Sequence, residues 1–358
     1  MPKPPKQVRK ARRALRAAGI IGASVVAGAG AVALGGAITA RTITKRDARN
    51  PDPYADTPYG DHRFGRRTIL TSHDGTKLHM DHAGKQGPLL VFSHGFSLNS
   101  SVWFHQFEEL SDDHRLLAYD LRGHGMSEVP ATGDWSLEAL GRDLLAVIDA
   151  ETGDDPIVLV GHSMGGMVTV QALSERPELL DGKVRGLILS DTGFGEIIEG
   201  MLRYGPPALR AMIRPALQNL YKTVGQHAGR LERVRGRGTD LEYAWARLVG
   251  FGPRPSHAHV RFMTQMLRSV DSEVWVKLLP LLLELELRHH LESIKVPVLM
   301  TVGSHDRLTP VPVAEVTASK FADCELHVIQ RSGHTPMLEK PDEWNALVRD
   351  FTKRLFES

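Results

Sequence analysis

The sequence predicts an α/β fold: a doubly wound, mostly parallel sheet with an inserted helical cap, preceded by an N-terminal hydrophobic helix. Three observations carry this. From residue 66 onward, short apolar runs alternate with helix-period stretches. That rhythm stops for residues 193–290, which hold helix-period stretches without convincing strands. Residues 17–40 carry no charged side chain at all.

The elements follow in order. Thr68–Thr71 and Lys77–His82 read as a hairpin around His73-Asp74-Gly75. Then come Leu89–Ser93, Arg115–Tyr119, Ile157–Val160, Val184–Ser190, Val296–Val302 and Glu325–Gln330. Each is short and continuously apolar or nearly so, as expected of strands buried on both faces of a parallel sheet. Helical stretches at Ser136–Asp149, Met164–Glu175, Val313–Phe321 and Asp342–Phe356 supply the crossovers. The predicted organisation is a core of residues 66–192 and 291–358, with 193–290 as the cap.

The N-terminus has a different chemistry. Residues 1–16 carry seven cations and no acid, and residues 41–49 add +3, so a net charge of +2 leaves −8 beyond Arg49. An acidic body excludes nucleic acid as an expected partner. The uncharged stretch Ala17–Ala40, as a helix rising about 1.5 Å per residue, is long enough for a hydrocarbon core of about 30 Å. It is read as a membrane anchor that leaves the body outside the cytoplasm, the heavier basic flank coming first. The alternative is a secretory signal cleaved near Ala31-Val32-Ala33. Residues 41–65, with three prolines, are read as a linker.

The strongest chemical signal is Gly161-His162-Ser163-Met164-Gly165, after one predicted strand and before a helix. Such a turn exposes a strained serine, and the flanking glycines remove side chains that would collide with it. A serine nucleophile needs a base. Of seventeen histidines, His334 in the turn after the last strand is the expected one, since open parallel sheets place their sites beyond the strands' carboxyl ends. His162 cannot readily reach back to its neighbour's hydroxyl, and His94 reads as part of a backbone loop. The acid that holds the histidine is expected at Asp306, with Asp191 as the alternative, because each lies just past a strand. Backbone N–H groups of Met164 and Phe96 are the expected oxyanion donors.

These segments, together with Asp120-Leu121-Arg122-Gly123-His124-Gly125, Gly303-Ser304-His305-Asp306 and Ser332-Gly333-His334-Thr335, resemble the successive signatures of α/β-hydrolases, across residues 66–356. The resemblance is to the branch of cap-bearing serine esterases and lipases, which also holds haloperoxidase-like, carbon–carbon-bond and epoxide hydrolases. It implies a triad of Ser163, Asp306 and His334, with Phe96 and Met164 at the oxyanion hole and His124 architectural. Members that open epoxides or remove halides use aspartate where this chain has Ser163, so those activities are disfavoured. Aromatic and apolar residues of the insertion, among them Trp245, Phe262, Met266 and Trp275, are the candidate substrate contacts. An apolar ceiling favours acyl or alkyl groups. The expected reaction is hydrolysis of hydrophobic or lipid-like carboxylic esters through an acyl-enzyme. Carbon–carbon-bond hydrolysis or perhydrolysis with the same triad is the alternative, and a non-catalytic tethered binding protein is a remoter one. No cofactor and no metal are expected, because the histidine pairs lack accompanying ligands.

Overall fold

A computed structural model of the chain describes residues 39–59, 65–195 and 240–357. Eight strands form one sheet: β1 Arg66–Thr71, β2 Lys77–Ala83, β3 Leu89–Ser93, β4 Arg115–Tyr119, β5 Ile157–His162, β6 Val184–Ser190, β7 Val298–Gly303 and β8 Cys324–Ile329. Their spatial order is β1-β2-β4-β3-β5-β6-β7-β8. The β1–β2 and β2–β4 pairs are antiparallel, and the remaining pairs are parallel. The strand order reverses beside β3, with β4 on one side and β5 on the other, so a crevice opens there at the carboxyl ends.

Alternation within each strand divides the core into two layers. Val91, Leu117, Leu159, Leu187 and Met300 face one layer. Leu90, Phe92, Val158, Val160, Ile188 and Leu299 face the other. Each fully buried aliphatic side chain stabilises the fold by about 1.5–3 kcal/mol, which explains why the central strands carry no polar face. The outermost strand β1 is mostly exposed and opens with Arg66 and Arg67, charges that discourage edge pairing.

Among the described residues, the helices of seven residues or more are α1 (residues 39–47), α2 Phe104–Leu110, α3 Leu137–Glu151, α4 Met164–Glu175, α5 Asp240–Gly250, α6 His257–Ser269, α7 Ser272–Glu284, α8 Val311–Ala318 and α9 Pro341–Phe356. Local sequence sets their ends. The Ser136 hydroxyl caps α3 by accepting from the Ala139 N–H at 3.1 Å. Proline opens α9, where a missing N–H costs nothing. α3 and α4 pack on the first layer through Leu140, Leu144, Met167 and Val170, while α2 and α9 cover the second through Phe107, Trp344 and Val348.

Helices α5, α6 and α7 fall in the interval between β6 and β7. Gly195 and Glu286 bridge across its base. The stretch read from sequence as a linker, 41–65, is folded against the body in its described part. The Asp47 carboxylate is buried and accepts from Arg247 at 2.6 Å. Asp52 accepts from the Ala258 N–H at 2.8 Å. The Tyr59 ring stacks on Phe262 with centroids 4.6 Å apart, and its hydroxyl lies 2.7 Å from His105 and 2.6 Å from His259. Polar and aromatic side chains, not proline content, decide the behaviour of this strap.

The hydrophobic stretch 17–40 lies, but for its last two residues, outside the described residues. Among the described residues, no helix is long and apolar enough to cross a membrane.

Candidate active site

Ser163 occupies the turn between β5 and α4 with φ 51° and ψ −118°. A side chain rarely adopts positive φ, so the surroundings must hold it there. Its N–H donates to the Ser190 carbonyl at 3.0 Å, and its carbonyl accepts from the Gly166 N–H at 3.0 Å and the Thr192 hydroxyl at 2.7 Å. The glycines are required by contact. A Cβ on Gly161 would come within 2.5 Å of the Gly166 Cα, and one on Gly165 would fall on the Ser93 carbonyl oxygen.

The His334 Nε2 lies 3.0 Å from the Ser163 Oγ, and its Nδ1 lies 2.8 Å from the Asp306 Oδ2. With Nδ1–H donating to the carboxylate, Nε2 is left to accept the serine proton. Asp306 follows β7, and its side chain is fully buried. Its Oδ1 accepts from the N–H groups of Leu308 at 2.7 Å and Thr309 at 3.1 Å, and its Oδ2 also accepts from the Thr309 hydroxyl at 2.6 Å. Burial pushes this carboxyl up, but the facing His334, with the hydrogen bonds from His334 and Thr309, brings it below its ordinary value.

Asp191, the sequence's alternative acid, converges on the same place from the end of β6. One oxygen from each of Asp191 and Asp306 and one ring nitrogen of His334 lie within 4.8 Å of one another. Burial, then the charge of Asp306, pushes Asp191 well above its ordinary value.

The turn that carries His334 is fastened by a residue the sequence reading passed over. Glu339 accepts from the Gly333 N–H at 2.5 Å, the Ser332 hydroxyl at 2.9 Å and the Gly252 N–H at 2.9 Å. Burial raises its carboxyl to about 7 against those donors. Only its position five residues after His334 hinted at this. His162 closes the other side, its Nε2–H donating to the His334 carbonyl at 2.8 Å. Burial, then the nearby His334, holds the His162 ring down to about 3.

The loop after β3 lies against the serine. A Cβ on Gly95 would sit 2.6 Å from the His162 ring and 3.2 Å from the Ser163 Cβ. Neutral histidines fix this loop. His124 accepts from the Ser97 N–H at 3.2 Å, and His94 accepts from the Leu121 N–H at 3.0 Å. Burial drives His124 down to about 3 and lowers His94 as well. Phe96 lies between Gly95, which is packed against Ser163, and Ser97, which is held by His124. Met164 is the first residue of α4, a position whose N–H has no partner within the helix.

The four candidate substrate residues separate. Trp275 meets Phe96 edge-on with centroids 4.7 Å apart, which puts it beside the serine's loop. Phe262 stacks on Tyr59 and Met266 shares its cluster, so both pack the insertion against the strap and second layer. Trp245 is 54% exposed on α5, with Leu241 and Leu248 exposed on the same helix. Helical spacing alone marks all four as apolar and does not say which neighbour each meets.

A sheet of this order with a serine turn beyond β5 and acid and histidine beyond β7 and β8 defines a hydrolase architecture. Residues 90–347 match the Alpha/beta hydrolase family, and the chain is an enzyme belonging to that family. It is 28% identical over 284 residues to the pimeloyl-[acyl-carrier protein] methyl ester esterase of Vibrio parahaemolyticus, covering 78% of this chain and 99% of that protein. It is 24% identical over 341 residues to Epoxide hydrolase 4 of Mus musculus, covering 89% of this chain and 87% of that one. Among solved structures, a thermophilic esterase from Thermogutta terrifontis superposes with a TM-score of 0.65 at 25% identity, covering 81% of this chain and 99% of that one.

Proposed function

We propose that the protein hydrolyses carboxylic esters of hydrophobic or lipid-like substrates through an acyl-enzyme formed on Ser163. The observation that carries this reading is the single ring of His334, which spans from the Ser163 hydroxyl at 3.0 Å to the Asp306 carboxylate at 2.8 Å. The Ser163 Oγ attacks the ester carbonyl while His334 Nε2 takes its proton. The carbonyl oxygen becomes an oxyanion held by the N–H groups of Phe96 and Met164. His334 then returns the proton to the leaving alcohol, and the carbonyl re-forms as the serine ester. Water, deprotonated by His334, attacks that ester and releases the carboxylic acid and the free serine. Asp306 keeps Nδ1 protonated and stabilises the imidazolium throughout. Trp275, set against Phe96, gives the acyl chain an apolar wall. The esterase names of the Vibrio and Thermogutta proteins support an ester as substrate.

Residues 17–40 attach the enzyme to a membrane with its body outside the cytoplasm, or belong to a signal cleaved near Ala31-Val32-Ala33 on secretion; the uncharged run and its heavier leading basic flank support this. Carbonate extraction of cells making the full chain separates the two, since only the anchored form stays in the pellet. The catalytic reading is tested with p-nitrophenyl esters from acetyl to palmitoyl. Turnover that Ser163→Ala abolishes supports it, and a folded wild type that hydrolyses no ester and resists a fluorophosphonate overturns it.

A further inference from the structure

The site holds a second buried carboxyl that the mechanism above leaves idle. Asp191 is 1% exposed, and its backbone has φ 47°, a value uncommon in residues other than glycine. β6 and β7 run parallel and in register, with Ser190 opposite Thr301. The residues that leave the two strands therefore lie side by side, and the Asp191 N–H donates to the Thr301 carbonyl at 2.9 Å.

The hydrogen bonds around Asp191 have a direction. The Trp344 indole N–H can only donate, and it does so to the Thr301 hydroxyl at 3.3 Å. Thr301 donates to the Ser190 hydroxyl at 2.9 Å, and Ser190 donates to the Asp191 Oδ2 at 3.0 Å. The Gly303 N–H donates to the Asp191 Oδ1 at 2.9 Å. Every one of these side chains is buried. Asp191 thus receives a donor on each oxygen, and one of those oxygens lies within 4.8 Å of an oxygen of Asp306. Two buried carboxylates in contact cannot both stay charged, so the pair holds one proton.

We propose that Asp191 is a positioning residue: it keeps that proton, donates it as a hydrogen bond to the Asp306 carboxylate, and so aims Asp306 at His334. This rests on the reading of Ser163, His334 and Asp306 as the triad. The placement of the proton agrees with the opposed shifts of the two acids, Asp191 upward through burial and Asp306 downward through His334. Asp306 already receives four donors, so the fifth completes its orientation and not its neutralisation. The arrangement also makes Asp191 a reserve acid, because its oxygen lies within 4.8 Å of a His334 ring nitrogen.

The test follows the rate at which a fluorophosphonate labels Ser163, a readout that needs no knowledge of the substrate. Asp191→Ala should slow labelling at least tenfold, and Asp191→Asn, whose amide donates where the acid did, should recover most of that loss. Asp306→Ala should label at least fivefold faster than Asp306→Ala/Asp191→Asn, since only the former retains an acid for His334. Melting curves identify any variant that fails to fold, and the Asn variants keep the test decisive if Asp191→Ala does not fold. A folded Asp191→Ala that labels like wild type overturns the proposal. Equality of Asp306→Ala with its Asp191→Asn double variant overturns the reserve-acid role. A wild type that does not label at all instead overturns the assignment of Ser163.

Discussion

Replacing Asp306 with asparagine changes one atom and should remove nearly all activity, for a reason the hydrogen bonds spell out. The carboxylate has two ends. Oδ1 accepts from the backbone N–H groups of Leu308 and Thr309 at 2.7 and 3.1 Å, and Oδ2 accepts from the Thr309 hydroxyl and His334 Nδ1 at 2.6 and 2.8 Å. An amide has one oxygen to offer. The two backbone groups cannot become acceptors, and stranding each would cost about 1–3 kcal/mol, so the oxygen takes the Oδ1 side. The amide nitrogen then faces His334 Nδ1 and donates to it. The Thr309 hydroxyl can rotate to adapt, whereas the imidazole must move its proton to Nε2. A protonated Nε2 cannot accept from the Ser163 hydroxyl 3.0 Å away. The expected loss in kcat/KM is about 10⁴-fold, or about 5 kcal/mol in the barrier, at near-wild-type stability. Ester kinetics and a melting curve on the same sample measure both. A folded Asp306→Asn variant that loses less than a hundredfold would refute the argument from tautomer.

Three other substitutions test other parts of the structure. Arg122→Met leaves Asp143, fully buried and held by two 2.6 Å bonds from that guanidinium, without its cation; urea unfolding should show a loss of about 3–5 kcal/mol. Trp275→Ala removes the ring packed on Phe96 and should lower kcat/KM for palmitoyl esters about tenfold, with a smaller effect on acetyl esters; equal losses would place the acyl chain elsewhere. His259, which holds the strap through Tyr59, is driven down to about 3 by burial and then by His105. Its folded form stays neutral where the unfolded chain gains a proton below about pH 6.5, so its contribution is whole above that pH and lost as pH falls. Between pH 7.5 and 5.5 the stability advantage of wild type over His259→Gln should shrink by about 1.4 kcal/mol, and a constant difference in unfolding free energy would contradict it.

Which parts were legible in the sequence follows from which interactions are local. A strand buried on both faces has no polar alternation, so apolar runs such as Ile157–Val160 and Leu89–Ser93 announce themselves without a partner in view. The serine turn is legible because its strain must be relieved by glycines within three residues of it. The strap is not, because what holds it spans the chain: Asp47 meets Arg247, and Tyr59 meets His259. Proline and polar residues in 41–65 describe the backbone's tendencies and carry no signal of those distant partners. In the insertion, a period of 3.6 identifies an apolar face but leaves open whether Phe262 meets Tyr59 or an acyl chain.

The acids are the most instructive case. Sequence order presents Asp191 and Asp306 as alternatives, because each is the first carboxylate past a strand and one histidine needs one acid. Parallel strands in register deliver the residues beyond their carboxyl ends to the same edge, so two such positions on neighbouring strands are close in space whatever their separation along the chain. Once β6 and β7 are neighbours, with Ser190 opposite Thr301, choosing between the acids stops being the right question. Both are present, and burial allows the pair a single negative charge. The division of labour then follows from what surrounds each carboxyl. Asp306 has four donors, His334 among them, to support a charge. Asp191 has a serine and one backbone N–H behind it and a carboxylate in front, the surroundings of a neutral acid.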